Sequence, residues 1–219
     1  MRREKLTYLT RGRFLQLERE LERVIRENIP GDFLEFGIAL GGSAVVIATA
    51  AGDSRSFHGF DVFGMIPPPE EGKDDQHALD RYAVIVSGES TGIGGDRYYG
   101  YRDDLYTAVT AAFRRNGLAV DGSAVSLHKG LFEETWPLYR GERIAFAHVD
   151  CDWYEPVRFC LERIAERLSA GGAIVLDDYH DYAGCRRAAD EFMAARPEFS
   201  FKDGENVVLR KAANPPAQT

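Results

Sequence analysis

The chain has 219 residues, 44% of them hydrophobic and 28% charged, with a formal net charge of -8. That length holds one α/β domain with a full core and is short for two, and the acidic balance argues against a nucleic-acid footprint. No long apolar run is present, Met1-Arg2-Arg3-Glu4-Lys5 leads into no signal-type core, and Cys151, Cys160 and Cys185 have neither Cys-x-x-Cys spacing nor an even count, so the reading is a soluble, cytoplasmic protein with reduced cysteines and no membrane partner.

The first element is a predicted amphipathic helix, Arg13 to Glu27, with Phe14, Leu17, Leu21, Val24 and Ile25 at helical spacing between Glu and Arg pairs. It makes residues 1–30 an N-terminal helical extension that packs on a sheet or covers a cofactor or partner subunit. Phe33-Leu34-Glu35-Phe36 then reads as a strand, running into the glycine turn from Gly37 through Gly41 to Ser43 and the small-residue helix Ala44 to Ala51. A strand, a glycine turn and a helix N-terminus are how doubly wound folds hold nucleotide cofactors. The turn lacks Gly-x-Gly-x-x-Gly and Gly-Lys-Ser/Thr endings, which counts against NAD and ATP. Glu35, just before it, suits a cofactor with a cationic amino group, as in S-adenosylmethionine. The next strand, Phe57 to Asp61, ends in an acid about twenty residues beyond the glycine turn, where a carboxylate accepts ribose hydroxyls or simply caps a turn.

From Val62 to Asp104 the pattern breaks into a proline-rich polar run, Pro67 to Asp75, and a glycine-rich one, Ser87 to Asp96, followed by Tyr98, Tyr99 and Tyr101. So long an irregular stretch is expected as a lid-like insertion over an acceptor molecule or as a plain surface loop. Asp104 to Asn116 returns to helical spacing, and Ala124 to Gly130 is a further strand. Near the end, Ala183 to Arg196 reads as a helix, two short strands at Phe199 and Val207 form a hairpin, and the tail at Pro215-Pro216 is expected to fray.

Two apolar runs end abruptly in carboxylates: Ala147-His148-Val149-Asp150-Cys151-Asp152 and Ile174-Val175-Leu176-Asp177-Asp178. Between them Pro156 to Leu168 has a helical stripe, with Ala170-Gly171-Gly172 expected as the stop and turn. A right-handed crossover places such strands parallel, with their carboxyl ends on one edge, so four aspartates converge. Alternation puts His148, Asp150 and Asp152 on one face. Clustered buried anions need a cation, and oxygen-only ligands suit a hard one, magnesium. The alternative is a solvated acidic strand end.

The whole is α/β: a Rossmann-like doubly wound sheet, mostly parallel, with a C-terminal antiparallel hairpin, as in class I S-adenosylmethionine-dependent methyltransferases. Leu34-Glu35-Phe36-Gly37, Gly59-Phe60-Asp61, Lys129-Gly130-Leu131-Phe132-Glu133-Glu134-Thr135, His148-Val149-Asp150-Cys151-Asp152, and Asp177-Asp178-Tyr179 with Gly184-Cys185-Arg186-Arg187-Ala188 resemble the macrocin O-methyltransferase (TylF-type) family. The resemblance implies magnesium-dependent methylation of a hydroxyl on a sugar or aromatic unit of a small natural product. It implies Asp150, Asp177 and Asp178 as metal ligands, Asp152 as general base, and Glu35, Gly37, Gly41, Ser43, Asp61, Gly130 and Asp150 around the cofactor, in a protein that self-associates. His148 is either a second base or a hydrogen-bonded neighbour. The segment Val62 to Pro67 departs from the family's usual Ser-Phe-x-Gly-Leu-Pro and leaves the acceptor open. Trp153 stands where catechol-type enzymes carry a lysine, which removes the lysine mechanism. Metal-assisted hydrolysis and non-catalytic cofactor binding are the rival classes, separated by whether S-adenosylhomocysteine binds and whether an acceptor is methylated.

Overall fold

Five apolar segments form parallel strands, β1 (Asp32–Phe36), β2 (Phe57–Asp61), β3 (Val125–Lys129), β4 (Ile144–Val149) and β5 (Leu168–Leu176), and the hairpin β6 (Phe199–Lys202) and β7 (Val207–Lys211) adds an antiparallel edge. In this computed structural model, which describes residues 4–213, the sheet order is β3-β2-β1-β4-β5-β7-β6. The strand order reverses between β1 and β4, the switch point at which doubly wound sheets open a crevice for ligands. Every residue of β4 is buried, as expected of a central parallel strand covered on both faces.

One face packs the short α5 (Phe132–Thr135), α6 (Tyr154–Arg167) and α7 (Ala183–Ala195) through Phe132, Val157, Leu161, Ile164, Ala188 and Phe192. The other packs α1 (Arg11–Arg26), α2 (Gly42–Ala51) and α4 (Leu105–Arg115) through Leu17, Leu21, Val24, Val45, Ile47, Val109 and Phe113. The stripe of α1 therefore lies against the sheet, and its N-terminal turn, capped by Thr10, reaches the strand ends.

Three expectations change. Ala170-Gly171-Gly172 is no turn: α6 ends at Arg167 and β5 begins at Leu168, with the surplus residues taken up as a bulge where Gly171 has φ 79°. Residues 62–104 are not wholly irregular, because they contain α3 (Gln76–Val86), whose first turn is capped by the Asp75 carboxylate accepting from Ala78 N at 3.0 Å. The alternation of β4 stops at Val149, and the chain turns at Asp152 with φ 60°, so Asp152 is not the next residue on the strand face of His148 and Asp150. The tail at Pro215-Pro216 lies outside the described residues.

Candidate active site

Backbone bonds lace the strand ends together: Gly37 N donates to Phe60 O at 2.9 Å, Asp150 N to Phe36 O at 2.9 Å and Asp177 N to Val149 O at 3.0 Å. A β carbon on Gly37 would run into the Asp150 carbonyl, and its φ is 86°, so glycine is what lets the two turns approach. Asp61 braces the same turn, its Oδ2 accepting from Ile38 N at 2.7 Å and Ala39 N at 3.0 Å while Oδ1 accepts from Phe63 N at 2.5 Å.

Beside that turn, Asp150, Asp177 and Asp178 offer oxygens within 4.8 Å of one another. Asp177 accepts from Arg13 Nη1 at 2.9 Å and from Asn206 Nδ2 at 2.6 Å, and Asp178 accepts from Asp152 N at 3.0 Å. Burial, then mutual repulsion, pushes the carboxyls of Asp150 and Asp178 well above the usual carboxylate range. Burial also raises Asp177, opposed by His148 and Arg13. Three carboxylates, Asp177 and Asp178 buried and Asp150 half-buried, are all oxygen donors, and among the described residues only Arg13 is ion-paired to one of them, a set that fits a hard divalent cation.

A cavity of about 750 Å³ opens on this cluster. Gly37, Ala39, Asp61, Leu131, Phe132 and Asp150 contribute one part of its wall. The insertion supplies Ile66, Pro67, His77, Arg81, Tyr98 and Tyr99, and the loops around α6 and α7 supply Asp152, Trp153, Asp181 and Tyr182. Tyr8 and Arg13 complete it from the N-terminal side. The segment before α1 crosses the glycine turn, with Gly42 N donating to Leu6 O at 2.8 Å, and meets the insertion through Tyr8 against Tyr99 (5.9 Å between centroids) and Lys5 with Asp96 (2.8 Å). Burial raises the Asp152 carboxyl to about 7, Arg81 opposing and Asp177 adding to the rise.

A family model for macrocin O-methyltransferase (TylF) matches residues 3–198. The chain belongs to the TylF family. It is 33% identical over 207 residues, 88% of this chain and 70% of the other, to the 8-demethyl-8-(2,3-dimethoxy-alpha-L-rhamnosyl)-tetracenomycin-C 4'-O-methyltransferase of Streptomyces olivaceus. It is 28% identical over 217 residues, 94% and 79% of the two chains, to the mycinamicin III 3''-O-methyltransferase of Micromonospora griseorubida. Among solved structures, the O-methyltransferase NovP shares the fold with a TM-score of 0.78 at 23% identity, covering 94% of this chain and 82% of that one. TomG of Streptomyces achromogenes, solved with S-adenosylmethionine, gives 0.60 at 13% identity, covering 95% and 82%. The fold is that of class I methyltransferases, and this TylF-family chain is an S-adenosylmethionine-dependent O-methyltransferase. Among the described residues no helix is long and apolar enough to cross a membrane.

In the TylF-family chain the expected residues divide by position. Gly37, Asp61, Asp150, Asp152, Asp177 and Asp178 line the cavity, whereas Glu35, Gly41, Ser43, Gly130 and His148 do not. Glu35 and His148 are fully buried and bonded to each other, Oε1 to Nδ1 at 2.8 Å, leaving Glu35 Oε2 and His148 Nε2 without partners. His148 therefore faces Glu35 and does not line the cavity, which is the hydrogen-bonded-neighbour arrangement. Gly41 turns the chain into α2 with φ 89°, Gly130 (φ 147°) sits against Thr135, and Ser43 is buried in the first turn of α2. Arg13, Arg81, Tyr8 and Asn206 went unread in the sequence, since each is an ordinary polar residue on a helix, loop or hairpin whose partners lie far along the chain.

Proposed function

We propose that this O-methyltransferase moves the methyl group of S-adenosylmethionine to a hydroxyl of a sugar unit on a small natural product, with Asp152 as general base and Asp150, Asp177 and Asp178 holding magnesium. The observation that carries the reading is that the three-carboxylate cluster, Asp152 and the Gly37–Asp61 turn all face one cavity, whose wall also carries Tyr8, Tyr98, Tyr99, Trp153 and Tyr182. Two relatives methylate sugar positions by name, and Trp153, Tyr98, Tyr99 and Tyr182 give the wall aromatic surface of the kind that suits a sugar ring.

In the reaction the acceptor oxygen forms a bond to the methyl carbon as the carbon–sulfur bond breaks, its electron pair staying on sulfur, while Asp152 takes the hydroxyl proton. Magnesium, when bound, supplies polarisation of the acceptor oxygen and keeps the carboxylates ionised. Gly37, Asp61 and Asp150 flank the cofactor, Glu35, Gly41 and Ser43 shape the turn that holds it, and Gly130, whose N–H donates to Asp61 O at 3.0 Å, braces the end of β2. Arg13 and Asn206 fix Asp177, and Phe132, packed edge-on against Phe36, closes part of the apolar wall. Holding both reactants at near-attack distance lowers the barrier further.

The test is incubation with S-adenosylmethionine, magnesium and, in turn, p-nitrophenyl α-L-rhamnoside, a nucleotide-linked rhamnose and catechol, followed by mass spectrometry. Methylation of a rhamnoside that stops on adding EDTA supports the reading. Methylation of catechol alone moves the acceptor to the phenolic class, and full turnover in EDTA removes the metal. Self-association, which the resemblance implies, is checked by light scattering.

A further inference from the structure

Two adjacent aspartates of the insertion cap two different helices. Asp75 caps α3, as above. Asp74, only 8% exposed, turns the other way: its Oδ1 accepts from Tyr154 N, the first residue of α6, at 2.8 Å, and its Oδ2 accepts from Glu70 N at 2.9 Å. The cap residue of α6 itself, Trp153, makes no side-chain cap bond, and Pro156 has no N–H to give. Of the amides left open at that end, one is satisfied by a carboxylate from 80 residues earlier, with its negative charge at the favourable end of the helix dipole.

Further bonds surround this contact. Trp153 Nε1 donates to Pro67 O at 3.0 Å, Lys73 pairs with Glu155, and Arg187 Nη1 donates to Gly72 O at 3.2 Å. Gly184, the second residue of α7, closes the other side: a β carbon there would overlap Asp74 Oδ1 and lie 2.9 Å from Tyr154 N. One buried carboxylate thus joins the insertion, the helix after the Asp150–Trp153 loop and the helix after the Asp177–Tyr182 loop. Immediately beyond it α3 carries His77, Arg81 and Ile85 into the cavity wall, His77 stacking on Tyr182 at 5.4 Å.

We propose that Asp74, seated against Gly184, is a positioning residue for acceptor methylation: it fixes the α3 wall of the cavity relative to the loop that carries Asp152 and Trp153. The inference rests on the reading of that wall as the acceptor side. It also gives Gly184 a reason, since that position must stay without a side chain for the carboxylate to reach α6.

The experiment compares Asp74→Ala, Asp74→Asn and Gly184→Ala with the unaltered enzyme. Asn keeps an oxygen for the Tyr154 amide, whereas helix propensity alone favours Ala at position 184. With p-nitrophenyl α-L-rhamnoside as the probe, Asp74→Ala and Gly184→Ala are expected to raise KM for the glycoside at least tenfold with KM for S-adenosylmethionine within twofold, and Asp74→Asn to recover most of the loss. Equal changes in both KM values, or none in either, overturn the proposal. Hydrogen exchange needs no acceptor: in Asp74→Ala the amides of residues 76–86 and Tyr154 should lose protection while β1 and β4 keep theirs, and unchanged protection in α3 overturns it. If the unaltered enzyme does not turn over the glycoside, the sugar reading fails, and exchange still decides the role of Asp74.

Discussion

Asp177 is held by groups from opposite ends of the chain, Arg13 at 2.9 Å and Asn206 at 2.6 Å. Asn206 is fully buried and is itself fixed by Gln16, whose Nε2 donates to its carbonyl at 2.5 Å. Asn206→Leu removes the donor and leaves a buried carboxylate oxygen unpaired, a loss of about 1–3 kcal/mol, to be read as a lower urea midpoint together with weaker magnesium binding by calorimetry. At Asp152 the change to Asn keeps the turn and its N–H to Asp178 but removes the proposed proton acceptor. Turnover should fall by about 10²–10⁴ with S-adenosylhomocysteine affinity little altered, and undiminished turnover would exclude Asp152 as the base. The meeting of Asp150, Asp177 and Asp178 was legible, because an apolar run that stops at carboxylates marks a strand end and a crossover brings two such ends to one edge. Arg13 and Asn206 were not, because their bonds to Asp177 span 164 and 29 residues with no local signature.

At the scale of elements, the glycine turn after β1 and the edge pair β2–β3 give opposite kinds of sensitivity. Gly37→Ala meets both a positive φ and the Asp150 carbonyl, so a cost on the order of 3 kcal/mol and loss of S-adenosylhomocysteine binding are expected. Gly52→Ala, also at positive φ (59°, with ψ -151°) but with nothing within 4 Å, should cost about 1–3 kcal/mol from the backbone alone and leave binding intact, and equal binding losses at both sites would refute the contact argument. On β2 and β3, His58 Nδ1 and His128 Nε2 lie 3.1 Å apart, and burial pushes both rings down to about 4. Unfolded, each titrates near 6.5, so between about 4 and 6.5 the unfolded chain binds more protons. Their contribution is therefore present above pH 6.5 and lost as pH falls toward 4, about 1 kcal/mol for each ring after allowing for partial exposure. The buried aspartates, shifted up, act in the other sense. The check is thus the difference between the protein and His128→Gln in urea midpoints at pH 7.5 and pH 5, and an unchanged difference would refute it. Strands were legible from apolar runs, but α3 was hidden: only Ala78 and Ile85 of it are buried, and proline- and glycine-rich flanks mask so thin a stripe. The Gly171-Gly172 pair misled in the other direction, since a bulge and a turn ask for the same residues.

For the whole molecule the alternating β/α order was enough to name the fold class, whereas the clamp between insertion and helices depends on tertiary contacts that no periodicity records. The proposed magnesium site, built by the same tertiary arrangement, carries a linkage between metal and stability that can be tested. Without a cation, the half-buried Asp150 and the buried Asp177 and Asp178 hold oxygens within 4.8 Å of one another and repel, on a chain whose net charge is already -8. Replacing one of them by a neutral isostere should relieve that repulsion, so in EDTA Asp178→Asn is expected to melt at or above the temperature of the unaltered protein, its amide oxygen still able to accept from Asp152 N. In magnesium the order should reverse. A ligand at a hundred times its Kd stabilises the folded state by about 2.7 kcal/mol, which for a chain of this size is roughly 5–10 °C in Tm, and the variant, short of a ligand, should gain little of it. Calorimetric scans of both proteins in EDTA and in rising magnesium check the crossing. Parallel shifts of the two would place the cation elsewhere, and a variant less stable than the parent even in EDTA would mean that the cluster is held by its hydrogen bonds and not strained by its charge.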